Sequence, residues 1–274
     1  MKPPPFLYHR PLELEGALEV LSREGDEAKV LAGGQSLVPL LNLRLVRPSH
    51  LVDLNRVTGL PGLRQVDGEL RIGAMTRTVE LETSPLVAAS WPLLARGAAE
   101  IGHVQIRNRG TVGGSIAHAD PAAELPALLL ALDGRAVVQS VRGRREIPAG
   151  DFFRGLFTTA LEPDEVVVEL RVPPQRGGSG FAEFARRHGD FALAGAACTG
   201  IGIGEQAATV VLFGAAAQPL RFSVPPSAGR DEVRELVRDG LREVDLTGDI
   251  HASPEWRRRV LPEMAARALA EAAA

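Results

Sequence analysis

The sequence predicts an α+β protein made of two parts, and three observations support this fold class. Its 274 residues favour two domains over a single hydrophobic core. The first 175 residues mix helical and strand patterns and contain two hairpin signals. After the flexible stretch "QRGGSG" at 175–180, the pattern changes to consecutive strands followed by helices. We therefore expect a larger domain at 1–175 and a smaller domain of sheet and helices at 176–274.

Hydrophobic periodicity and turn residues predict the first five elements of the chain. They are a helix, a strand, a short helix, a strand and a hairpin, at 12–23, 28–34, 36–45, 50–55 and 63–75. The strand ends at the pair Gly33-Gly34, and Ser36 is a plausible N-cap for the short helix. Asp67-Gly68 is typical of a tight hairpin turn.

The same patterns predict the elements in the middle and at the end of the chain. Further elements are expected as helices within 76–102, a glycine-rich loop at 107–115, a helix at 121–132, a hairpin at 135–148 and a strand at 164–174. Thr76 and Ser84-Pro85 are typical of helix starts. In the smaller domain we expect three strands, in "GFAEFARR", "LAGAACTGIGI" and "QAATVVLFGAAA", and helices near 229–243 and 254–272.

Composition excludes several classes of function. The net charge of −3 gives no basic surface of the kind that nucleic acid or an anionic membrane selects. The single cysteine, Cys198, excludes a disulfide within the chain and a cysteine-ligated iron–sulfur or zinc site, and we expect it to be a buried, inert thiol. Neither a secretory signal nor a run of 18 apolar residues is found, so a cytoplasmic protein without a membrane span is expected.

Two stretches place a glycine pair and hydroxyl residues ahead of an apolar helix: "AGGQS" at 32–36 and "TVGGS" at 111–115. Glycine lets the backbone turn with φ > 0 and without a Cβ, so that successive N–H groups face one concavity and bind an anion. The N-terminus of a following helix adds to the attraction. Two converging loops suit a pyrophosphate. Taken alone, each pair is also consistent with an ordinary turn that binds nothing.

Other phosphate-binding motifs do not fit. The chain has no G-x-x-x-x-G-K-[ST] pattern, and "GIGIG" at 200–204 lies within a strand pattern without G-x-G-x-x-G spacing. A P-loop or a Rossmann domain is therefore not expected.

The segments "AGGQSLVPLLNLRLVRPSHLVDLN" and "IGHVQIRNRGTVGGSIAHADPAAELPALLLAL" together resemble the FAD-binding medium subunit of the molybdenum hydroxylases. The resemblance is to the carbon monoxide dehydrogenase type within the xanthine dehydrogenase family, and it spans essentially the whole chain. It implies an α+β, vanillyl-alcohol-oxidase (PCMH-type) FAD-binding domain of two subdomains, at about 1–56 and 57–175. Residues 176–274 would then close over the flavin.

The same resemblance implies a set of cofactor-binding residues, with no catalytic or metal-binding ones. The two motifs would wrap the pyrophosphate, apolar residues would flank the first turn and the flavin, acids would lie near the ribose and adenosine, and a cation and an aromatic ring near the isoalloxazine. In that order these residues are Ala32, Gly33, Gly34, Gln35, Ser36, Thr111, Gly113, Gly114 and Ser115; Leu31, Leu37 and Ile101; Asp120 and Glu124; Arg186 and Phe191.

Some of these positions have a structural alternative. Asp120 is equally suited to N-cap a helix that begins at Pro121, with Glu124 as its capping-box partner. Phe191, where family members often have a tyrosine, is also consistent with core packing.

Nearby charged residues are less informative. "RNR" at 107–109 fits either a phosphate or partner contact or a solvated loop. His103, His118 and His188 lack metal-ligand spacing, so packing or surface roles are expected.

The function implied by the resemblance is electron transfer through FAD. A large molybdopterin subunit would oxidise the substrate, a small subunit would carry electrons through two [2Fe–2S] clusters, and FAD in this chain would pass them to NAD⁺, oxygen or a quinone. A dimer of heterotrimers is the expected assembly. The alternative is a free-standing FAD-dependent oxidoreductase that acts on a small molecule directly.

Overall fold

The structure is a computed structural model that describes residues 2–274, within which the chain forms three main β-sheets and a small hairpin. Met1, the first residue of the expected 1–175 domain, lies outside these residues. The mixture of helix and sheet agrees with the predicted α+β class.

The first sheet is parallel, because each of its connections is a helix. Its elements are β1 (Leu7–His9), α1 (Leu14–Glu24), β2 (Ala28–Leu31), α2 (Leu37–Asn42) and β3 (His50–Asp53). Strand β3 lies between β1 and β2. Strand β1 was not predicted, because Leu7 and Tyr8 are exposed and give no alternating pattern. Ser36 is the N-cap residue of α2, as predicted, but its side chain makes no capping hydrogen bond.

The second sheet is antiparallel and has the order β4-β5-β10-β6-β7. Its strands are β4 (Leu63–Val66), β5 (Glu69–Gly73), β6 (Arg135–Ser140), β7 (Gly143–Pro148) and β10 (Val166–Val172). Both predicted hairpins are confirmed, and Asp67 and Gly68 both have the positive φ that a tight turn requires. A short helix, α9 (Ala149–Phe152), and a small hairpin, β8 (Phe153–Gly155) with β9 (Thr158–Thr159), follow β7.

A layer of short helices covers this sheet. The helices are α3 (Thr78–Thr83), α4 (Pro85–Ser90), α5 (Pro92–Ala98), α6 (Val104–Arg107), α7 (Val112–His118) and α8 (Glu124–Ala131). Ser84 caps α4 as predicted, by accepting a hydrogen bond from the Val87 N–H. Helix α3 begins at Thr78 rather than at Thr76, and α8 begins at Glu124 rather than at Pro121. The loop predicted at 107–115 is instead partly helical, because α7 starts at Val112.

The third sheet is antiparallel, with four strands in sequence order. Its elements are β11 (Gly178–Phe184), β12 (Ala194–Ile201), β13 (Ala208–Phe213), β14 (Leu220–Val224), α10 (Arg230–Gly240) and α11 (Pro254–Ala272). Both C-terminal helices are confirmed. The sequence predicted three strands and missed β14. The stretch 175–180 is not wholly flexible, because its last three residues already belong to β11.

The third sheet is buried on both faces, which joins the two parts of the chain. Alternate residues of β12 and β13 pack on α10 and α11, whereas Ala197, Val211 and Phe213 belong to the core formed with the helices over the second sheet. Backbone contact reinforces this packing, since the Gly214 N–H donates to the Pro121 carbonyl at 2.8 Å. Residues after 176 are therefore held close to the start of α8.

Candidate functional site

Residues 32–36, the first glycine segment, form the sharp turn between β2 and α2. Gly34 has φ +77°, and its carbonyl accepts from the Val38 N–H at 3.0 Å. Within residues 2–274, no backbone carbonyl accepts from the consecutive N–H groups of Gly33, Gly34, Gln35 and Ser36. The segment therefore presents donors on a turned backbone, which is the arrangement that binds anions.

Residues 109–115, the second glycine segment, are built differently. Thr111 caps α7, and its Oγ1 accepts from the Gly114 N–H at 3.2 Å. The N–H groups of Val112 and Gly113 donate to the carbonyls of Thr76 and Ala74 at 3.0 and 2.8 Å. The expectation of a positive φ is therefore right for Gly34 in the first segment and wrong for the glycine pair of the second, which starts a helix.

The glycines of the second segment are required by close packing. A Cβ on Gly113 would lie 2.5 Å from the Cβ of Ala74, and one on Gly114 would lie 2.6 Å from Thr111 Oγ1. Ser115 completes the first turn of α7 by donating its N–H to the Thr111 carbonyl at 3.0 Å. The absence of side chains here brings α7 against the strand-to-helix connection at 74–77.

The two glycine segments meet backbone to backbone. A Cβ on Gly33 would lie 2.4 Å from the Arg109 carbonyl oxygen and 2.8 Å from the Cα of Gly110, and one on Gly114 would lie 3.4 Å from the Cβ of Ala32. The structure thus brings together the two motifs that lie about 75 residues apart in the sequence. Their convergence was the condition for a pyrophosphate site.

Two residues missed by the sequence reasoning lie between the segments. Asn55 Nδ2 donates to the Ala32 carbonyl at 2.8 Å, and Arg77 donates both to Asn55 Oδ1 at 2.8 Å and to the Arg109 carbonyl. Asparagine and arginine are common on surfaces, and neither residue belongs to a motif, so no sequence signal identified them.

The two arginines of "RNR", Arg107 and Arg109, have different roles. Arg107 is buried, pairs with Glu82 at 2.7 Å and donates to the carbonyls of Ile101 and Gly102 at 3.2 and 2.8 Å. Its role is therefore structural. Arg109 is exposed, and its backbone carbonyl is the contact point between the segments.

The acidic residues predicted near the cofactor lie at the start of α8. Asp120 does not cap a helix at Pro121, and Glu124 is not its capping-box partner, because the N-cap of α8 is Ala123. Asp120 Oδ1 instead accepts from the Ala122 N–H at 2.9 Å. Glu124 is 5% exposed, and burial, followed by repulsion from Asp120 and Glu100, raises its pKa to about 7.

Glu183 of β11, a half-buried residue with one buried carboxyl oxygen, is a second such acid and was missed by sequence reasoning. Burial, together with the charges of Glu124 and Glu100, raises its pKa to about 8. Its Oε2 is inaccessible to solvent and has no hydrogen-bond partner among the described residues. A neutral carboxylic acid is the form that tolerates this environment at neutral pH.

The remaining predicted residues lie just before α6, in the connection between β11 and β12, and beside the first glycine segment. Ile101 is partly buried against the main core and precedes Gly102 and His103, which the backbone of Gly189 touches closely. Phe191 is 65% exposed, so core packing, its structural alternative, is wrong. Arg186 is also exposed, and its guanidinium lies 3.3 Å from His251 Nδ1. Leu31 and Leu37 flank the first segment and are partly buried.

The histidines and the cysteine pack as expected. The His118 ring lies 5.1 Å from that of Phe157, and burial lowers its pKa. His188 Nδ1 lies 3.2 Å from Glu100. Cys198 is buried, and burial raises the pKa of its thiol to about 12, which suppresses thiolate chemistry.

The residues present fit an extended, dianionic dinucleotide. The first segment offers backbone donors, the second packs its backbone closely behind the first because its glycines have no Cβ, and Arg77 and Arg109 bring positive charge between them. Among residues 2–274, no group of three or more His, Cys, Asp or Glu side chains is arranged to hold a metal ion. In the same residues, every helix is too short or too polar to cross a membrane.

Comparison with known proteins identifies the family of the chain. Residues 4–175 match the family described as "FAD binding domain in molybdopterin dehydrogenase". The chain is 42% identical over 284 residues to the 6-hydroxypseudooxynicotine dehydrogenase complex subunit alpha of Paenarthrobacter nicotinovorans, covering 99% of this chain and 96% of that protein. It is 46% identical over 199 residues to the carbon monoxide dehydrogenase medium chain of Hydrogenophaga pseudoflava, covering 72% and 69% of the two chains.

A solved structure shows the same fold. The chain superposes with a TM-score of 0.94 and 36% identity on carbon monoxide dehydrogenase from Hydrogenophaga pseudoflava, in a form without the Mo-pyranopterin moiety, covering 99% of this chain and 98% of that one. The resemblance, the PCMH-type fold and FAD as the cofactor are thereby confirmed. The protein is a flavoprotein of the oxidoreductase class and belongs to the family of FAD-binding domains of molybdopterin dehydrogenases.

Proposed function

We propose that this chain is the FAD subunit of a molybdenum hydroxylase complex and carries electrons from iron–sulfur clusters of a partner subunit to a final acceptor. The observation that carries the proposal is the meeting of the two glycine segments, with Gly33 against the Arg109 carbonyl and unpaired donors on one side. Bound FAD supplies a carrier that exchanges electrons singly or in pairs. The single, buried cysteine leaves no cluster site in this chain.

The residues of this chain bind and orient the cofactor. We assign the pyrophosphate to the two glycine segments and the ribose and adenosine end to Asp120 and Glu124. Ile101, Arg186 and Phe191 are assigned to the isoalloxazine. The exposed ring of Phe191 is free to stack on a flat partner, and Ile101 lies beside the connection between β11 and β12. In this assignment, residues 1–56 and 57–175 form the two FAD-binding subdomains, and 176–274 cover the flavin.

The proposed partners are a large molybdopterin subunit and a small [2Fe–2S] subunit, assembled as a dimer of heterotrimers in the cytoplasm. The two relatives described above are named as a subunit of a complex and as a medium chain, which supports a division of labour. Their names also refer to chemically unrelated substrates, carbon monoxide and 6-hydroxypseudooxynicotine. Similar flavin subunits with different substrates are expected if another subunit selects the substrate.

The experiment is to purify the chain with its neighbours and to measure flavin, iron and molybdenum in what co-elutes. Flavin bleaching by candidate reductants is then followed anaerobically, with the flavin-loaded chain alone and with the complex. Turnover of an organic substrate in the complex only, with iron and molybdenum present, supports the relay. Rapid multiple turnover by the isolated chain would instead establish the free-standing oxidoreductase. NAD⁺, oxygen and quinones are compared as acceptors in the same assay.

A further inference from the structure

Arg77 lies between the two glycine segments, at the end of the connection from β5 to α3. One of its guanidinium nitrogens donates to the carbonyl of Arg109, and the other donates to Asn55 Oδ1 at 2.8 Å. Asn55 Nδ2 in turn donates to the Ala32 carbonyl at 2.8 Å. A continuous path of hydrogen bonds therefore runs from the first segment to the second through two side chains.

Asn55 is itself held in place. Asp53 Oδ1 accepts from its backbone N–H at 2.8 Å and from its side-chain amide at 2.6 Å. The carboxylate of Asp53 is buried at the end of β3 and also accepts from the Tyr8 hydroxyl. Burial raises the pKa of Asp53, but the hydrogen bonds from Tyr8 and Asn55 outweigh it, so that the net pKa is lowered and the anchor stays ionised. The path of hydrogen bonds is therefore anchored at Asp53, which is held at the end of β3.

The guanidinium groups beside this path make no direct ion pair among the described residues. Whereas Arg107 pairs with Glu82, Arg77 and Arg109 form no ion pair with a carboxylate in the described part of the chain. Burial, followed by repulsion from Arg109, lowers the pKa of Arg77, which remains cationic at neutral pH. Glu80 and Asp53 act on Arg77 only from beyond ion-pair distance, and two neighbouring guanidinium groups without an ion-paired acid are stabilised by an anion between or beside them.

We propose that Arg77 is a positioning residue that sets the separation of the two glycine segments through Asn55 and the Arg109 carbonyl, and thereby the shape of the FAD pyrophosphate site. This rests on the assignment of both segments to the pyrophosphate. The backbones of the two segments are in contact at Gly33, so a small change in their separation alters the site directly. Arg77 does this through geometry, and its charge alone is insufficient.

The test measures FAD affinity and thermal stability of the full-length chain for Arg77→Met, Arg77→Lys and Asn55→Ala. Asn55→Ala keeps the charge at position 77 and removes the path, so it is the decisive variant. Arg77→Met and Asn55→Ala should each weaken FAD binding by about tenfold to a hundredfold. The double variant should be no weaker than the worse single one, because both break the same path. Arg77→Lys, which lacks the planar fork, should restore less than half of the loss in binding free energy.

Arg135→Met is the matched control, because it makes the same substitution outside the candidate site. Arg135 bridges Glu69 and Glu146 in the second sheet, where its role is structural. The control variant should lower the melting temperature and leave FAD affinity and the visible band of bound flavin unchanged. Wild-type affinity in Asn55→Ala, or full rescue by Arg77→Lys, would overturn the positioning role. If Gly34→Ala also binds FAD like wild type, the pyrophosphate assignment itself has failed, whereas a Gly34 defect with normal Asn55→Ala refutes the Arg77 proposal alone.

Discussion

In the first glycine segment, Gly34 has a left-handed backbone and four consecutive N–H groups pair with no backbone carbonyl of residues 2–274. In the second, the glycines are helical, and the N–H groups of Val112, Gly113 and Gly114 are bonded within the chain. The sequences "AGGQS" and "TVGGS" both contain a glycine pair with a serine after it and precede a helix. One glycine pair supplies a turn with free donors, and the other allows a helix to pack tightly behind it.

This difference separates two uses of glycine that a motif does not distinguish. A positive φ requires glycine for conformational reasons, whereas a close approach requires it for lack of a Cβ. The two uses predict different mutant behaviour. Substitution in the first segment should affect the ligand more than the fold, and substitution in the second should affect the fold more than the ligand.

The largest effect is expected where the segments touch, in Gly33→Ala. The new Cβ would lie 2.4 Å from the Arg109 carbonyl oxygen, and neither backbone can yield without separating the segments. We expect a loss of about 2–3 kcal/mol in the free energy of unfolding and a fall of about a hundredfold in FAD affinity. Urea denaturation and flavin fluorescence titration measure the two. Gly150→Ala, where a Cβ meets open space, is the control. Normal FAD binding by Gly33→Ala would show that the contact lies outside the site.

The contrast itself is tested by Gly34→Ala against Gly113→Ala. Alanine at 34 meets only side chains, Val38 at 3.2 Å and Leu31 at 3.4 Å, but is strained at φ +77°. It should destabilise the fold by about 1 kcal/mol and lower FAD affinity about tenfold, because the four donors reorient. Alanine at 113 would overlap Ala74 at 2.5 Å and should destabilise the fold by about 1–3 kcal/mol. At a temperature where it is folded, its FAD affinity should change less than about threefold. The opposite ranking of affinities would remove the distinction between the segments.

Neither glycine segment contains an acid or a histidine, so changes in the stability of the fold between pH 5 and 9 are expected to arise elsewhere, at the coupled carboxyls of Glu124 and Glu183. The pKa of Glu183 is about 8 in the folded chain, against an ordinary value of 4.5 for a glutamate in the unfolded chain. Below 4.5 both states are protonated. As pH rises from 4.5 to 8, the unfolded state ionises first, so the stability of the fold decreases through this window and is then constant.

Glu183→Gln should therefore leave stability unchanged at pH 4.5 and increase it by at least about 1 kcal/mol at pH 8.5. Unfolding in urea at a series of pH values measures this difference. Glu205→Gln, at an exposed position, is the matched control and should show no such divergence. A uniform shift of the Glu183→Gln curve at every pH would contradict a buried, protonated carboxyl.

Much of the fold could be predicted because local chemistry and tertiary structure agree. Asp67-Gly68 specified a hairpin turn, Ser84-Pro85 a helix start, and the apolar runs of β12 and β13 a buried sheet. The predictions failed where the local sequence carries no signal for the structure. Strand β1 is short and exposed, and the helical geometry of Gly113 and Gly114 depends on carbonyls at 74 and 76, which are distant in sequence.

The site was predictable in its motifs but not in its supporting residues. Asn55 and Arg77 act only because the fold brings residues 32, 55, 77 and 109 together. Glu183 lies two residues after the buried Phe181 in β11, and therefore on the same face of the strand; a glutamate there would face solvent if that face of the sheet were exposed. Both faces are covered here, so the glutamate faces the core of the N-terminal part. Sheet coverage is a tertiary property that a single strand does not encode.

The smallest and most specific effect is expected for Thr111→Val, which keeps the shape of the side chain and removes its hydroxyl. Thr111 Oγ1 accepts from the Gly114 N–H at 3.2 Å, and Thr111 is 3% exposed. Loss of this cap should lower the free energy of unfolding by about 1 kcal/mol. If the second glycine segment is a packing surface, FAD affinity should change less than about threefold.

Thr111→Ser keeps the hydroxyl and serves as the control, with near-normal stability and binding. Denaturation and FAD titration of the two variants separate a capping hydroxyl from one that contacts the cofactor. A capping hydroxyl affects the fold in Thr111→Val and leaves the ligand alone, because its acceptor role is already used by Gly114. A strong loss of FAD affinity in Thr111→Val with unchanged stability would mean that the hydroxyl donates to the pyrophosphate. The second segment would then be a source of donors like the first, and glycine would serve the same purpose in both.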